Sequence, residues 1–243
     1  MRVHLQPAYI LHSRPYRDSS LILDVFCAEH GRLSLVSKGA RRRSKGGSKL
    51  ALLQAFAPLL LSFSGRSEMK TLTQVEPAGS RLALRGDWLF SAMYLNELLV
   101  RLLHRHDPHP RLFAAYSNAL TELAAEGAVE APLRRFELVL LDELGYSFSL
   151  AEDGLSGEGL EAEGWYHYHP DHGLVTGLPG SDPARPAYAG ADLLALARGE
   201  FEGPASTAAR RLLRQVLTQH LGDAPLKSRD LFRRRHPGAG EDR

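Results

Sequence analysis

The sequence predicts a multidomain α+β protein: a small closed antiparallel β-barrel at the N-terminus, then a mainly α-helical domain with a small β-hairpin insertion. Three observations predict it. Short alternating apolar segments fill the first 76 residues. After Pro77-Ala-Gly-Ser80 the apolar period changes from two to between three and four. Within the helical part, Trp165-Tyr-His-Tyr-His169 alternates again. A chain of 243 residues suits two modest cores rather than one. The domains expected are 1–79, then 80–236 with its hairpin insertion at about 150–180, then a disordered tail, 237–243.

Five strands are expected in the first domain: Ala8 to Arg14, Leu21 to Cys27, Arg32 to Ser37, Leu59 to Phe63 and Met69 to Val75. In the second, Leu21, Leu23, Val25 and Cys27 share one face and Ile22, Asp24 and Phe26 the other. Glu29-His-Gly31 and Ser64-Gly-Arg66 supply turns. Five short strands left open would expose edges, so closure is the natural solution. Leu84 to Leu103 then reads as a long helix, Leu112 to Glu126 as a second, and Pro132 to Leu144 as a third capped by Gly145. Glu152 to Glu163 is an acidic, Gly-rich loop, and Trp165–His169 pairs with Leu174 to Thr176. Helices follow over Tyr188 to Arg198, from Pro204 to Leu221, and over Leu226 to Arg235, where Pro237 stops the chain's last helix.

The composition, 44% hydrophobic and 24% charged, excludes collagen, a coiled coil and a wholly disordered chain. No run approaches the roughly 18 apolar residues of a membrane span, and the N-terminus lacks a secretory pattern, so a cytoplasmic location is expected. The net charge of +2 hides a division. Residues 1–80 carry 12 Lys and Arg against 5 Asp and Glu, residues 81–209 carry 9 against 19, and residues 210–243 carry 9 against 4. Basic ends around an acidic middle point to a polyanionic partner.

The strongest local feature is Lys38 to Lys49, with six cations, three glycines and no acid. Its cations are Lys38, Arg41, Arg42, Arg43, Lys45 and Lys49, and from His30 to Ser67 there is no carboxylate. Flexible backbone and forked guanidinium donors suit phosphate oxygens. A basic loop between barrel strands is a means of gripping a nucleic-acid backbone. Arg14, Tyr16 and Arg17 at the first turn extend that surface. Tyr16 either stacks a base or is a half-buried aromatic at a strand end. The loop lacks the Gly-x4-Gly-Lys-Ser/Thr order of a nucleotide-binding loop, and no nucleophile elbow occurs. His167, His169 and His172 read as a solvent-facing set rather than a zinc site, and the acids of 152–163 as a solvated loop. Cys27 reads as an inert core residue. No catalytic group, metal or cofactor is expected. On the third helix Leu133, Phe136, Leu140 and Leu144 form one stripe and Arg134, Leu138 and Leu141 a second, about 90° away. The second stripe either meets an apolar peptide ending in a carboxylate or is buried with Arg134 snorkelling. The basic helix, with Lys227, Arg229, Arg233, Arg234 and Arg235, is either a second nucleic-acid contact or a counter-charge for the acidic middle.

Several of these segments together resemble the bacterial RecO family of recombination mediators. They are Leu11 to Tyr16, Ser19 to Phe26, Gly31 to Arg41, Tyr94 to Leu99, Leu133 to Leu138, Leu144-Gly-Tyr146 and Pro225 to Phe232, and the resemblance covers nearly the whole chain. It implies an N-terminal oligonucleotide-binding (OB) fold, binding of single- and double-stranded DNA, strand annealing, and help in loading RecA onto DNA coated with single-strand binding protein. It implies two protein partners, RecR and the acidic C-terminal tail of single-strand binding protein. The tail site is carried over to Arg134, Leu138 and Leu141. Work on DNA implies association with the nucleoid. Some members hold a four-cysteine zinc module; this chain has one cysteine, so the Trp165–Thr176 hairpin stands as a metal-free counterpart. The alternative reading is an RNA-binding barrel in tRNA or ribosome metabolism. A nuclease would need convergent acids or histidines in one pocket.

Overall fold

The computed structural model describes residues 1–42, 49–179, 186–222 and 224–235, the last three without their side chains. The expected loop cations Arg43 and Lys45, the side chains of Arg233, Arg234 and Arg235, and the expected tail 237–243 lie outside the described residues.

Five strands close the expected barrel: β1 (Arg2–Tyr16), β2 (Ser20–Cys27), β3 (Gly31–Ser37), β4 (Leu59–Ser64) and β5 (Lys70–Pro77). A one-turn helix, α1 (Lys49–Leu52), precedes β4. The order is β1-β2-β3-β5-β4, with β4 returning to β1. Closure is not wholly antiparallel: β3 and β5 pair in parallel through Leu35↔Lys70 and Val36↔Thr71. β1 begins six residues earlier than the apolar pattern suggests, because it serves two neighbours. Bulges between Val3 and Gln6 and between Ile10 and His12 bend it from β4 towards β2. Leu21, Leu23, Val25 and Cys27 point inward together, against Ile10, Leu33, Leu35, Leu61 and Phe63. Burial pushes the Cys27 thiol up to about 12, so it carries no thiolate.

Part of the outer face of the barrel is covered as well, which explains why Phe26 is fully buried. α2 (Gly86–Leu102) and α3 (Pro110–Ala124) lie on it. Phe26 and Tyr9 meet Phe113 and Tyr116 of α3 at centroid distances of 5.1–6.3 Å. Asn96 of α2 donates to the Leu11 carbonyl at the β1 bulge, 2.9 Å, and accepts from the Tyr116 hydroxyl. Gly31 lets the α2–α3 connection approach: its φ is +60° and a Cβ would stand 1.9 Å from the Asp107 carbonyl oxygen. α7 (Lys227–Arg235) docks on α2. The Glu97 carboxylate accepts from the backbone N–H of Lys227 and Ser228 at 2.8 Å each, and Phe232 meets Phe90 edge-on. Burial pushes the Glu97 carboxyl up. Hydrogen bonds from Ser228 and Lys227 outweigh it and leave the group below its ordinary range.

These elements form one compact unit, Met1–Gly127 with Pro225–Arg243; the other is Ala128–Ala224. The second contains α4 (Glu130–Glu143), α5 (Gly190–Ala197), α6 (Gly203–Leu221) and a sheet of β6 (Trp165–His169), β7 (Gly173–Thr176) and β8 (Ala187–Ala189) in the order β7-β6-β8. The expected hairpin is therefore a three-stranded sheet. Tyr188 belongs to β8 rather than to a helix, because its ring is buried and its hydroxyl donates to Gln215 on α6. Gly145, at φ +78°, follows α4 as expected, with the Tyr146 N–H reaching back to the Leu141 carbonyl.

Candidate nucleic-acid interface

The β1–β2 turn and the end of β3 enclose an open cleft of about 620 Å³. Tyr16, Arg17, Ser19, Ser20, Val36, Lys38, Gly39, Arg42 and Thr71 line it, and no carboxylate does so among the described residues. Strand register assembles it. Arg14↔Ile22, Ile22↔Val36 and Val36↔Thr71 form one row across four strands, on the face opposite the Leu21–Leu23 core side. Tyr16↔Ser20 starts the next row. The Arg41 N–H donates to the Ser19 carbonyl at 3.0 Å, tying the chain leaving β3 to the β1–β2 turn. The Arg42 N–H closes a tighter turn on the Gly39 carbonyl.

The cleft joins four of the expected DNA-binding residues, Tyr16, Arg17, Lys38 and Arg42. Arg14 lies exposed on the same outer face as the row, and Arg41 is exposed beside it. Lys49 is different: it opens α1, is half-buried, does not line the cleft, and burial lowers its ammonium below the usual range. None of Arg14, Arg17, Lys38, Arg41 and Arg42 is paired with a carboxylate among the described residues. Ser19, Ser20 and Thr71 were not legible as site residues. Thr71 enters only through the parallel β3–β5 closure, which no local pattern signals. Arg17 holds a left-handed φ of +51°, with its guanidinium carbon 5.1 Å from the Tyr16 ring centre. A non-glycine residue there costs roughly 1 kcal/mol. Arg17→Gly is therefore expected to raise stability by up to about 1 kcal/mol. A urea-melting curve checks the sign.

The chain matches the family model described as Recombination protein O N terminal over residues 1–81, and that described as Recombination protein O C terminal over residues 85–230. It belongs to the RecO family of DNA repair and recombination proteins. Among relatives named DNA repair protein RecO, that of Nitrosococcus oceani is 47% identical over 96% of this chain and 94% of its own length. That of Aliivibrio fischeri is 45% identical over 96% of both chains, and that of Ralstonia nicotianae 45% over 95% of this chain and 84% of its own.

Several segments that carry the RecO resemblance make contacts inside one unit or the other. Asn96 and Glu97, in the Tyr94–Leu99 segment, tie α2 to β1 and cap α7. Ser228 completes that cap, with its hydroxyl 2.7 Å from Glu97. Tyr146 stacks on His220 at 3.7 Å. The basic helix packs within the unit that contains the barrel, with Lys227 exposed and Arg229 half-buried.

The second stripe of α4, one of whose two readings is a buried face, is covered in this structure. Arg134 is 8% exposed, Leu141 1%, and Leu138 rests against the cluster of Leu196, Phe201, Ala205 and Ala209. Arg134 Nη1 donates to Glu137 Oε2 at 2.6 Å, and Glu137 is fully buried. The second stripe is covered because α6 and the α5–α6 connection pack on that side of α4. Arg135 is the exposed arginine, its guanidinium 5.8 Å from the Phe201 ring centre. Arg134 Nε has no hydrogen-bond partner among the described residues.

Two further expectations change. His167 does not face solvent: it is 7% exposed, with Nδ1 and Nε2 at 3.0 and 3.2 Å from the Pro186 and Leu178 carbonyls. Asp153 is not solvated either. Its carboxylate accepts from the Thr176 hydroxyl and N–H at 2.7 and 2.6 Å, and from the Leu155 and Ser156 N–H groups. Among the described residues no group of three or more His, Cys, Asp or Glu is placed to hold a metal ion. Cys27, the single cysteine of the chain, is shut in the barrel core, so a four-cysteine zinc module does not fit this chain. Among the described residues no helix is long and apolar enough to cross a membrane.

Proposed function

We propose that this protein is a non-enzymatic recombination mediator. It binds single- and double-stranded DNA, anneals complementary strands and, with RecR, helps load RecA onto DNA coated with single-strand binding protein. The observation that carries this reading is the convergence of Tyr16, Arg17, Lys38 and Arg42 on one cleft of a RecO-family barrel that no carboxylate lines among the described residues. Cations without protein counter-charges are free to replace the counterions of phosphate. Two strands neutralised on one surface repel each other less, which favours pairing. No bond is made or broken in this mechanism, so it needs no catalytic group or cofactor. Lys38, Arg41 and Arg42 continue into Arg43 and Lys45, and the basic helix, through Lys227, Arg229, Arg233, Arg234 and Arg235, supplies a second DNA contact. The tail of single-strand binding protein would anchor its terminal carboxylate on Arg134, with Leu138 and Leu141 beneath, once Glu137 yields. Such work belongs in the cytoplasm, on the nucleoid.

The salt dependence of binding tests the DNA site. Neutralising about five phosphates on a single strand gives a slope of log K against log salt near −3.5. Replacing Arg17, Lys38 and Arg42 together by Ala is expected to flatten it to about −1.4, by roughly 0.7 per lost contact. An unchanged slope in the folded triple variant rejects the cleft as the binding surface. Strand annealing assayed in parallel must fall with binding.

A further inference from the structure

Resting on the DNA-binding reading above, we propose that the cleft holds one unpaired nucleotide and thereby lets this protein tell single strands from double. Its volume, about 620 Å³, falls within the roughly 300–1,000 Å³ of sites that hold one small ligand. It is an open cleft at one end of the barrel face, confined to the β1–β2 turn, the end of β3 and the start of β5.

The lining matches the parts of a nucleotide. Tyr16 offers a half-buried ring, and the face of that ring is occupied by Arg17. A cation over a solvent-exposed ring is weakly held. An entering nucleotide brings both replacements at once, a base for the ring and a phosphate for the guanidinium. Arg17 then swings from ring to phosphate, and the base takes its place on Tyr16. Lys38 and Arg42 also line the cleft and serve the flanking phosphates. The hydroxyls of Ser19, Ser20 and Thr71 both donate and accept, so they satisfy the edge of any base without selecting one. The backbone of the two turns is joined before binding: the Arg41 N–H donates to the Ser19 carbonyl, and Gly39, at φ +66°, sets the second turn.

Discrimination follows from geometry. Bases of a single strand unstack readily and lie on aromatic rings. A base inside a duplex has both faces covered and must first be unpaired and extruded. Arg14 and Arg41, outside the cleft, meet only phosphates and treat both forms alike.

The test is fluorescence anisotropy at one fixed salt concentration with three probes: (dT)15, a fully abasic backbone of the same length, and a 15-base-pair duplex. The wild-type protein is expected to bind (dT)15 about tenfold more tightly than the abasic backbone, a comparison that needs no variant. Tyr16→Ala is expected to lose affinity for (dT)15 about tenfold more than for the duplex, and to bind (dT)15 and abasic backbone alike. Tyr16→Phe keeps the wild-type preference. Arg14→Ala lowers all three affinities in proportion. Equal binding of (dT)15 and abasic backbone by the wild type, or an equal loss on single strand and duplex in Tyr16→Ala, overturns the nucleotide pocket while leaving DNA binding intact. Failure of the wild type to bind any of the three probes overturns the DNA-binding reading itself.

Discussion

Asp153→Ala is expected to destabilise the Ala128–Ala224 unit by about 3 kcal/mol. The side chain is 6% exposed and accepts four hydrogen bonds, two from Thr176, one from Leu155 and one from Ser156. It thereby pins the loop after α4 to the end of β7, 23 residues away. Alanine removes the acceptor and leaves several N–H groups of a tight turn unsatisfied. The neighbouring Gly154 leaves no slack: a Cβ there would stand 1.5 Å from the His172 carbonyl oxygen. The Thr176 hydroxyl bond above all holds the Asp153 carboxyl down at about 2. Burial pushes the other way, and the backbone N–H bonds reinforce the lowering. An unfolded Asp titrates near 3.9. The stabilisation is therefore complete above about pH 4 and is lost as pH falls through about 2. Asp153→Asn keeps the shape and is expected to remove that acid-dependent part. The chain has two tryptophans, Trp88 in one compact unit and Trp165 in the other. Urea melts followed by fluorescence in a Trp88→Phe background report the second unit alone. A midpoint unmoved in Asp153→Ala refutes the keystone role.

How much of this was legible depends on how local each cause is. The barrel strands follow from alternation: Leu21, Leu23, Val25 and Cys27 point inward as their spacing requires. The parallel β3–β5 seam does not, because Leu35 and Lys70 are 35 residues apart and nothing in either segment names the other. Phe26 alternates outward and is nonetheless buried, since a second layer, α3, covers the barrel. The cationic half of the cleft was legible, because turn residues such as Arg17, Lys38 and Arg42 have no apolar period to satisfy. Its hydroxyl half was not, because Ser19, Ser20 and Thr71 become site residues only by register. Asp153 shows the same limit from the opposite side. An acid in a Gly-rich loop reads as solvated, and its partner Thr176 is supplied by the fold of a distant strand. The helical wheel placed Arg134, Leu138 and Leu141 on one side of α4, but a wheel gives direction and not cover. Phe201 and Ala205 supply the cover, more than 60 residues further along the chain.

The buried pair on α4 carries the second large effect. Glu137→Gln is expected to destabilise the same unit by about 3 kcal/mol. Arg134 and Glu137 are 8% and 0% exposed, and their contact is 2.6 Å. Removing one charge of such a pair leaves the other desolvated without compensation, a loss much larger than that of an exposed pair. Gln keeps an acceptor near Arg134 Nη1, so the deficit is mainly of charge. That distinguishes the two roles proposed for Arg134. If it only closes the core, Glu137→Gln is weaker in urea and nothing restores it. If it anchors an acidic tail, a peptide ending in a carboxylate supplies the missing charge. Arg134 Nε, unbonded among the described residues, gives a second donor for it. Adding an acidic, Phe-ending peptide should then raise the melting temperature of Glu137→Gln by more than it raises that of the wild type, where Glu137 competes for the same guanidinium. An Arg134→Leu, Glu137→Leu double variant provides the control. It removes both charges, is expected to recover most of the lost stability by apolar packing, and should not respond to the peptide. Equal thermal shifts in wild type, Glu137→Gln and the double variant exclude Arg134 as the anchor.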